Sequence, residues 1–125
     1  MDVARNFAQI MNDLEFHREW EALLNRLAER FGEGLDLEAV LFLIGVQELG
    51  QGYRKFKKDE KMDLMHIAIC RVLVPYGFYE YTGMDNDGWP HYSPTAELPH
   101  LGAKEQSRLM KEAVLDYFRT AELVN

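Results

Sequence analysis

Apolar residues recur at three- and four-residue steps from Trp20 through Leu23, Leu24, Leu27 and Ala28 to Phe31. That spacing makes one stripe on an amphipathic helix. Phe7, Ile10, Met11 and Leu14 keep similar steps upstream, so the stripe is expected to extend backwards. Asn12 and Glu15 are spaced as a capping box. Two forms therefore stay open: one helix over 4–31, or two pieces broken near Asn12. Gly32 and Gly34 supply the stop.

A second helix is expected over about 37–49, with Asp36 as its N-cap. Its middle is apolar nearly all round, from Leu37 through Val40, Leu41, Phe42, Leu43, Ile44 and Val46 to Leu49. A helix with no polar face belongs in the centre of a domain. Gly45 would let a neighbouring helix approach closely, and Gly50 and Gly52 end the segment. A buried strand over 39–46 competes, but length and the capping aspartate favour helix.

A third helix is expected from about Asp59 to Val74, with Met62, Met65, Ile69, Val72 and Leu73 inward and Pro75 as its end. A fourth runs over about 103–123. Leu109, Met110, Ala113, Val114, Tyr117, Phe118 and Ala121 form its stripe, opposite a charged face of Lys104, Arg108, Lys111, Glu112, Asp116 and Arg119. Between the two lies a stretch of different character, residues 76–101. Phe78 to Thr82 carries strand-type residues. Asp85-Asn86-Asp87-Gly88 is a turn signal, and Trp89 to Ser93 can return as a second strand with Pro90 confining it to an edge. The expectation is a mainly α, four-helix, bundle-like single domain over 1–125. A small β-hairpin lies between helices 3 and 4.

Composition narrows the class. The chain has 125 residues, 47% hydrophobic, and a formal charge of −7. It is long enough to bury a core without disulfides, and too apolar for a disordered chain. The acidic balance argues against a nucleic-acid partner. Charge is uneven: residues 1–53 carry −6, residues 54–61 carry +3 and residues 62–125 carry −4. The lone cysteine, Cys70, suits a reducing cytoplasmic setting. The beginning of the chain lacks the basic and apolar run of a signal peptide. No apolar stretch approaches the roughly 20 residues needed to span a bilayer.

Candidate chemistry is sparse. Asp63, His66 and Cys70 fall on one side of the third helix, and Glu48 near the end of the second could add a fourth donor. Carboxylate, imidazole and thiolate are ligands for a divalent transition metal. The carboxylate-bridged pattern of di-metal bundles would need a second copy of the Asp-x-x-His pair, which is missing. The plainer alternative is a hydrogen-bonded histidine beside a small core cysteine. Asp85, Asp87 and Gly88 do not match a calcium loop. The glycines at 45, 50 and 52 follow a helix and match no phosphate-binding motif. No Gly-x-Ser-x-Gly elbow occurs. A buried Cys70 would be a poor nucleophile.

Two features point towards contact with another protein. Arg54-Lys55-Phe56-Lys57-Lys58 sets one aromatic among four cations. It is either a docking segment or a solvated connection. Tyr76, Phe78, Tyr79, Tyr81, Trp89 and Tyr92 crowd into residues 76–92, where they either form an interface or cover one end of the core. The expected contact residues are Arg54, Lys55, Lys57, Tyr79, Tyr81, Trp89 and Tyr92, serving a protein partner or self-association in a non-catalytic module. The rival is a metal-binding protein or metal-dependent enzyme using Glu48, Asp63, His66 and Cys70.

The run Glu48-Leu49-Gly50-Gln51-Gly52-Tyr53-Arg54-Lys55-Phe56-Lys57-Lys58-Asp59-Glu60-Lys61-Met62-Asp63-Leu64-Met65-His66 resembles a family of small bacterial proteins with no assigned function. The run Asp87-Gly88-Trp89-Pro90-His91-Tyr92 resembles it too. The resemblance covers most of the chain and implies no activity, substrate or catalytic residue.

Overall fold

The structure is a computed structural model that describes the backbone of residues 3–121 and side chains from Phe7 onward. Four helices form: α1 (Val3–Phe31), α2 (Leu37–Leu49), α3 (Lys58–Leu73) and α4 (Ala103–Thr120). A single 3-10 turn, Val74–Tyr76, and an antiparallel hairpin of β1 (Tyr79–Met84) and β2 (Pro90–Pro94) separate α3 from α4. This is the expected mainly α fold with one hairpin between the third and fourth helices. α4 ends at Thr120, and Ala121, expected within it, is extended; Glu122 and Leu123, also expected there, lie outside the described residues. Backbone contacts divide the chain into two compact units, one up to Leu35 and one from Asp36 onward.

In the first unit α1 is continuous, so the break considered near Asn12 does not occur. Trp20, Leu23 and Leu27 are buried. Phe7, Ile10, Met11 and Leu14 are not: they are 64%, 56%, 46% and 49% exposed. The single stripe expected from the sequence is therefore two. At roughly 100° per residue, Leu14 and Leu23 point in opposite directions. The steps of three and four hold within each group but fail across the gap between them.

In the second unit, the Asp36 side chain accepts the Ala39 N–H at 2.9 Å and starts α2 as an N-cap should. Gly50, with φ at 72°, ends it by returning its N–H to the Val46 carbonyl. Val40, Leu41, Leu43, Ile44, Gly45, Val46 and Leu49 are buried. The start of α3 is tied by the Lys57 N–H donating to Glu60 Oε1 at 2.9 Å. α3 touches α2, α4 and both strands, and so positions every other element of this unit.

Of the residues expected on the inner side of α3, Val72 and Leu73 are buried and Met62, Met65 and Ile69 are not. Leu64, Ile67, Ala68, Cys70, Val72 and Leu73 are buried, whereas Met62 is 66% exposed and Met65 and Ile69 are half-buried. Leu64 and Met62 are roughly 160° apart around the helix axis. The choice between the two faces is made by α2, whose backbone comes up against Leu64. A Cβ at position 45 would stand 2.2 Å from the Leu64 carbonyl oxygen and 2.9 Å from Leu64 Cβ. Only glycine fits there, as its place in an otherwise apolar helix suggests. α4 buries Ala113, Val114 and Tyr117 as expected, and also Leu115.

Gly45→Ala is expected to lower stability by about 1–3 kcal/mol, because the methyl group meets backbone that cannot rotate away. Urea unfolding of the variant beside wild type measures this. An unchanged midpoint would mean that α2 and α3 are not in such close contact.

Candidate functional site

Two adjoining groups of residues in the second unit hold the sequence-nominated candidates. The first joins the loop after α2 to the hairpin tip. Val46, Leu49, Phe56 and Leu64 form a buried apolar cluster, and Phe42 and Trp89 pack against it half-buried. Phe42 and Phe56 meet edge to face with ring centres 6.0 Å apart. Phe56 belongs to the basic segment and Trp89 to the hairpin, so one cluster holds both. Gln51 Nε2 adds a hydrogen bond to the Asp87 carbonyl at 3.2 Å.

The hairpin tip is shaped by Asp85. Its Oδ1 accepts the N–H groups of Asp87 at 2.9 Å and Trp89 at 3.0 Å, and its Oδ2 lies 2.9 Å from His91 Nε2. These hydrogen bonds, the one to His91 foremost, hold the Asp85 carboxyl below its ordinary range. The Asp85 carboxylate thus does turn chemistry, and Asp87 takes part through its backbone. The register slips by one residue between Tyr81 and Gly83, where Gly83 takes φ of 121°.

The seven expected contact residues separate by exposure. Arg54, Lys55, Lys57 and Tyr81 are exposed, Tyr81 by 54%. Arg54 lies 4.2 Å over the Phe56 ring and pairs with Glu60 at 3.4 Å. Tyr79 and Tyr92 are half-buried, and Tyr92 meets Tyr81 at a ring-centre distance of 5.7 Å. Trp89 anchors the hairpin through its place on the apolar cluster. Met84, which the sequence did not single out, is 66% exposed on the same hairpin.

The second group is polar and links α2, α3 and α4. Glu48 Oε2 accepts the Tyr117 hydroxyl at 2.8 Å, and Glu48 Oε1 pairs with Arg71 Nε at 3.2 Å. The Arg71 guanidinium lies 5.4 Å from the Tyr117 ring centre. Burial, then the hydrogen bond to the Glu48 carboxylate, pushes the Tyr117 hydroxyl well above its ordinary pKa. Tyr92 is pushed up to about 12 by burial and by the charge of Glu48. Arg71 and Tyr117 were not nominated from the sequence. Their signal was indirect: a tyrosine within an apolar stripe needs a partner for its hydroxyl once buried, and Glu48 is a carboxylate at the end of an apolar helix.

The four nominated metal donors do not form a shared set. Glu48 is engaged by Tyr117 and Arg71, and Asp63 and His66 are exposed. Cys70 is fully buried, with its Sγ 3.5 Å from His66 Nε2. Among the described residues, no three His, Cys, Asp or Glu side chains are grouped to hold a metal ion. Burial raises the Cys70 thiol to about 11, so it stays protonated at neutral pH and is a weak nucleophile. The tyrosine hydroxyls of the polar group likewise stay protonated and can only donate or accept hydrogen bonds. No buried side-chain nitrogen or oxygen among the described residues lacks a hydrogen-bond partner.

No helix among the described residues is long and apolar enough to cross a membrane. No family model matches the chain, and neither a curated protein nor a solved structure matches it.

Two outcomes are expected. Asp85 keeps a depressed pKa in the folded state. Its stabilisation is therefore full above the ordinary carboxylate range and is lost as pH falls through the lowered value. Thermal unfolding across the acid range should show this dependence reduced in Asp85→Asn; an identical profile would remove the turn from the account. Cys70 should resist an aromatic disulfide reagent in the folded protein and react once urea unfolds it. Rapid labelling without unfolding would show the thiol to be accessible.

Proposed function

We propose that this protein is a non-catalytic interaction module, and that its contact surface is the basic loop together with the hairpin. The observation that carries the proposal is the docking of these two segments through Phe56, Trp89, Gln51 and Asp87. The two segments carry exposed side chains, Lys55 and Lys57 on one and Tyr81 and Met84 on the other. Cations beside exposed aromatic and thioether groups suit a protein partner that offers carboxylates and apolar side chains. The buried residues of the same segments hold the surface in shape, which limits the ordering cost of binding.

The chemistry of the second group agrees with a non-catalytic role. Its hydroxyls and thiol are protonated at neutral pH, and its one carboxylate is engaged by a guanidinium and a phenol. Glu48, Arg71 and Tyr117 act as a polar tie between three helices. A cytoplasmic setting goes with the proposal, on the strength of the single buried thiol.

A photo-crosslinking residue at Tyr81 is expected to trap a discrete protein adduct in cells. Lys55→Glu with Lys57→Glu should suppress it while leaving the melting temperature unchanged, since both side chains are exposed. Adducts no more frequent than those from the exposed Lys104 on α4 would end this proposal.

A further inference from the structure

This inference rests on the interaction surface just described and names what it meets. The last turns of α1 and the chain that follows it shape a groove of about 570 Å³. Glu21, Glu29 and Glu33 line it, together with apolar Leu24, Ala28 and Leu35, and no lining residue is cationic. Among the described residues, the three glutamates have no hydrogen-bond or ion-pair partner. Arg30, on the same stretch, has its guanidinium 5.4 Å from the Phe31 ring centre. The C-terminal end of a helix carries the negative end of its dipole, which adds to the field of the three carboxylates.

The basic loop is the complement of this groove. Arg54 is occupied by Phe56 and Glu60, which leaves Lys55, Lys57 and Lys58 exposed. A lysine lays an apolar stem along apolar surface and carries its charge at the tip. That matches a groove of leucine and alanine with carboxylates around it. Both halves of the contact, three cations and three carboxylates, are present on every copy of the chain. We propose that the basic loop of one copy docks into the carboxylate-lined groove of a second copy. The contact joins different surfaces of the two copies, so it is either made twice about a two-fold axis in a dimer or runs head to tail into a ring or filament.

Charge reversal with mixing tests this. One variant carries Lys55→Glu and Lys57→Glu, the other Glu29→Lys and Glu33→Lys. Wild type should associate with rising concentration in sedimentation velocity. Each variant alone sets like charges against each other, and its association constant should fall at least about tenfold. The equimolar mixture should recover association, because each variant's loop is then opposite in sign to the other's groove. All four side chains are exposed, and thermal unfolding confirms that the variants fold. Should one melt lower, Lys57→Gln and Glu33→Gln take its place, each expected to weaken association.

A mixture that stays monomeric overturns the proposal, as does wild type that never associates. If loop reversal abolishes association and groove reversal leaves it intact, the groove is not the partner while the interaction surface survives. If crosslinking at Tyr81 traps only a different protein, the surface again survives and the second copy is excluded.

Discussion

The second unit depends on the contact between Gly45 and the backbone of Leu64. Close packing of two helices needs a small residue at the crossing, and at this crossing even a methyl group is too large. With α2 and α3 pressed together, Leu64, Ile67, Ala68 and Val72 become the inner side of α3, and Met62 is turned outward. Val46, Leu49 and Leu64 then form the apolar cluster that receives Phe56 and Trp89. The basic loop and the hairpin are placed by that cluster. The surface proposed for binding is therefore a consequence of a helix crossing whose own residues are hidden.

The polar group serves the same arrangement from the same end of α2, through Glu48 between Val46 and Leu49. Glu48 is half-buried, and a carboxylate partly withdrawn from water is costly unless it has partners. Arg71 and Tyr117 answer it from α3 and α4. The pair is partly exposed, and pairs of this kind add modest stability. Its clearer effect is on geometry: a carboxylate shared between a guanidinium and a phenol sets the rotation of three helices about their axes. Tyr76, whose hydroxyl donates to Asp116 at 2.5 Å, makes a similar tie between the turn after α3 and α4. Glu48, Arg71, Tyr76, Asp116 and Tyr117 are thus engaged in holding this unit together, while Lys55, Lys57, Tyr81 and Met84 are exposed on the basic loop and hairpin.

Much of this was legible along the chain, because the signals were local. Asp36 caps α2 through a hydrogen bond to an N–H three residues on, and Gly50 ends it within one turn. Asp85 to Gly88 make a turn among themselves. The role of Gly45 could be inferred because a glycine inside a long apolar helix has few other purposes. The fold class followed from such features. Less legible was which face of a helix is buried when apolar residues occupy more than one side. α3 carries methionines and isoleucine on one side and leucine, isoleucine and alanine on another, and α1 has apolar groups on opposite sides at its two ends.

What the sequence determined by itself was which helices and strands form and, to within a few residues, where most of them start and stop, because caps, turns and breakers act over three or four residues. Tertiary structure alone decided which of two apolar faces turns inward, that Trp89 packs on the cluster and Tyr81 does not, and that Glu48 meets Arg71 and Tyr117 in place of His66. Those outcomes depend on residues far apart in the chain reaching one another. Spacing along a strand or helix carries no information about what stands opposite.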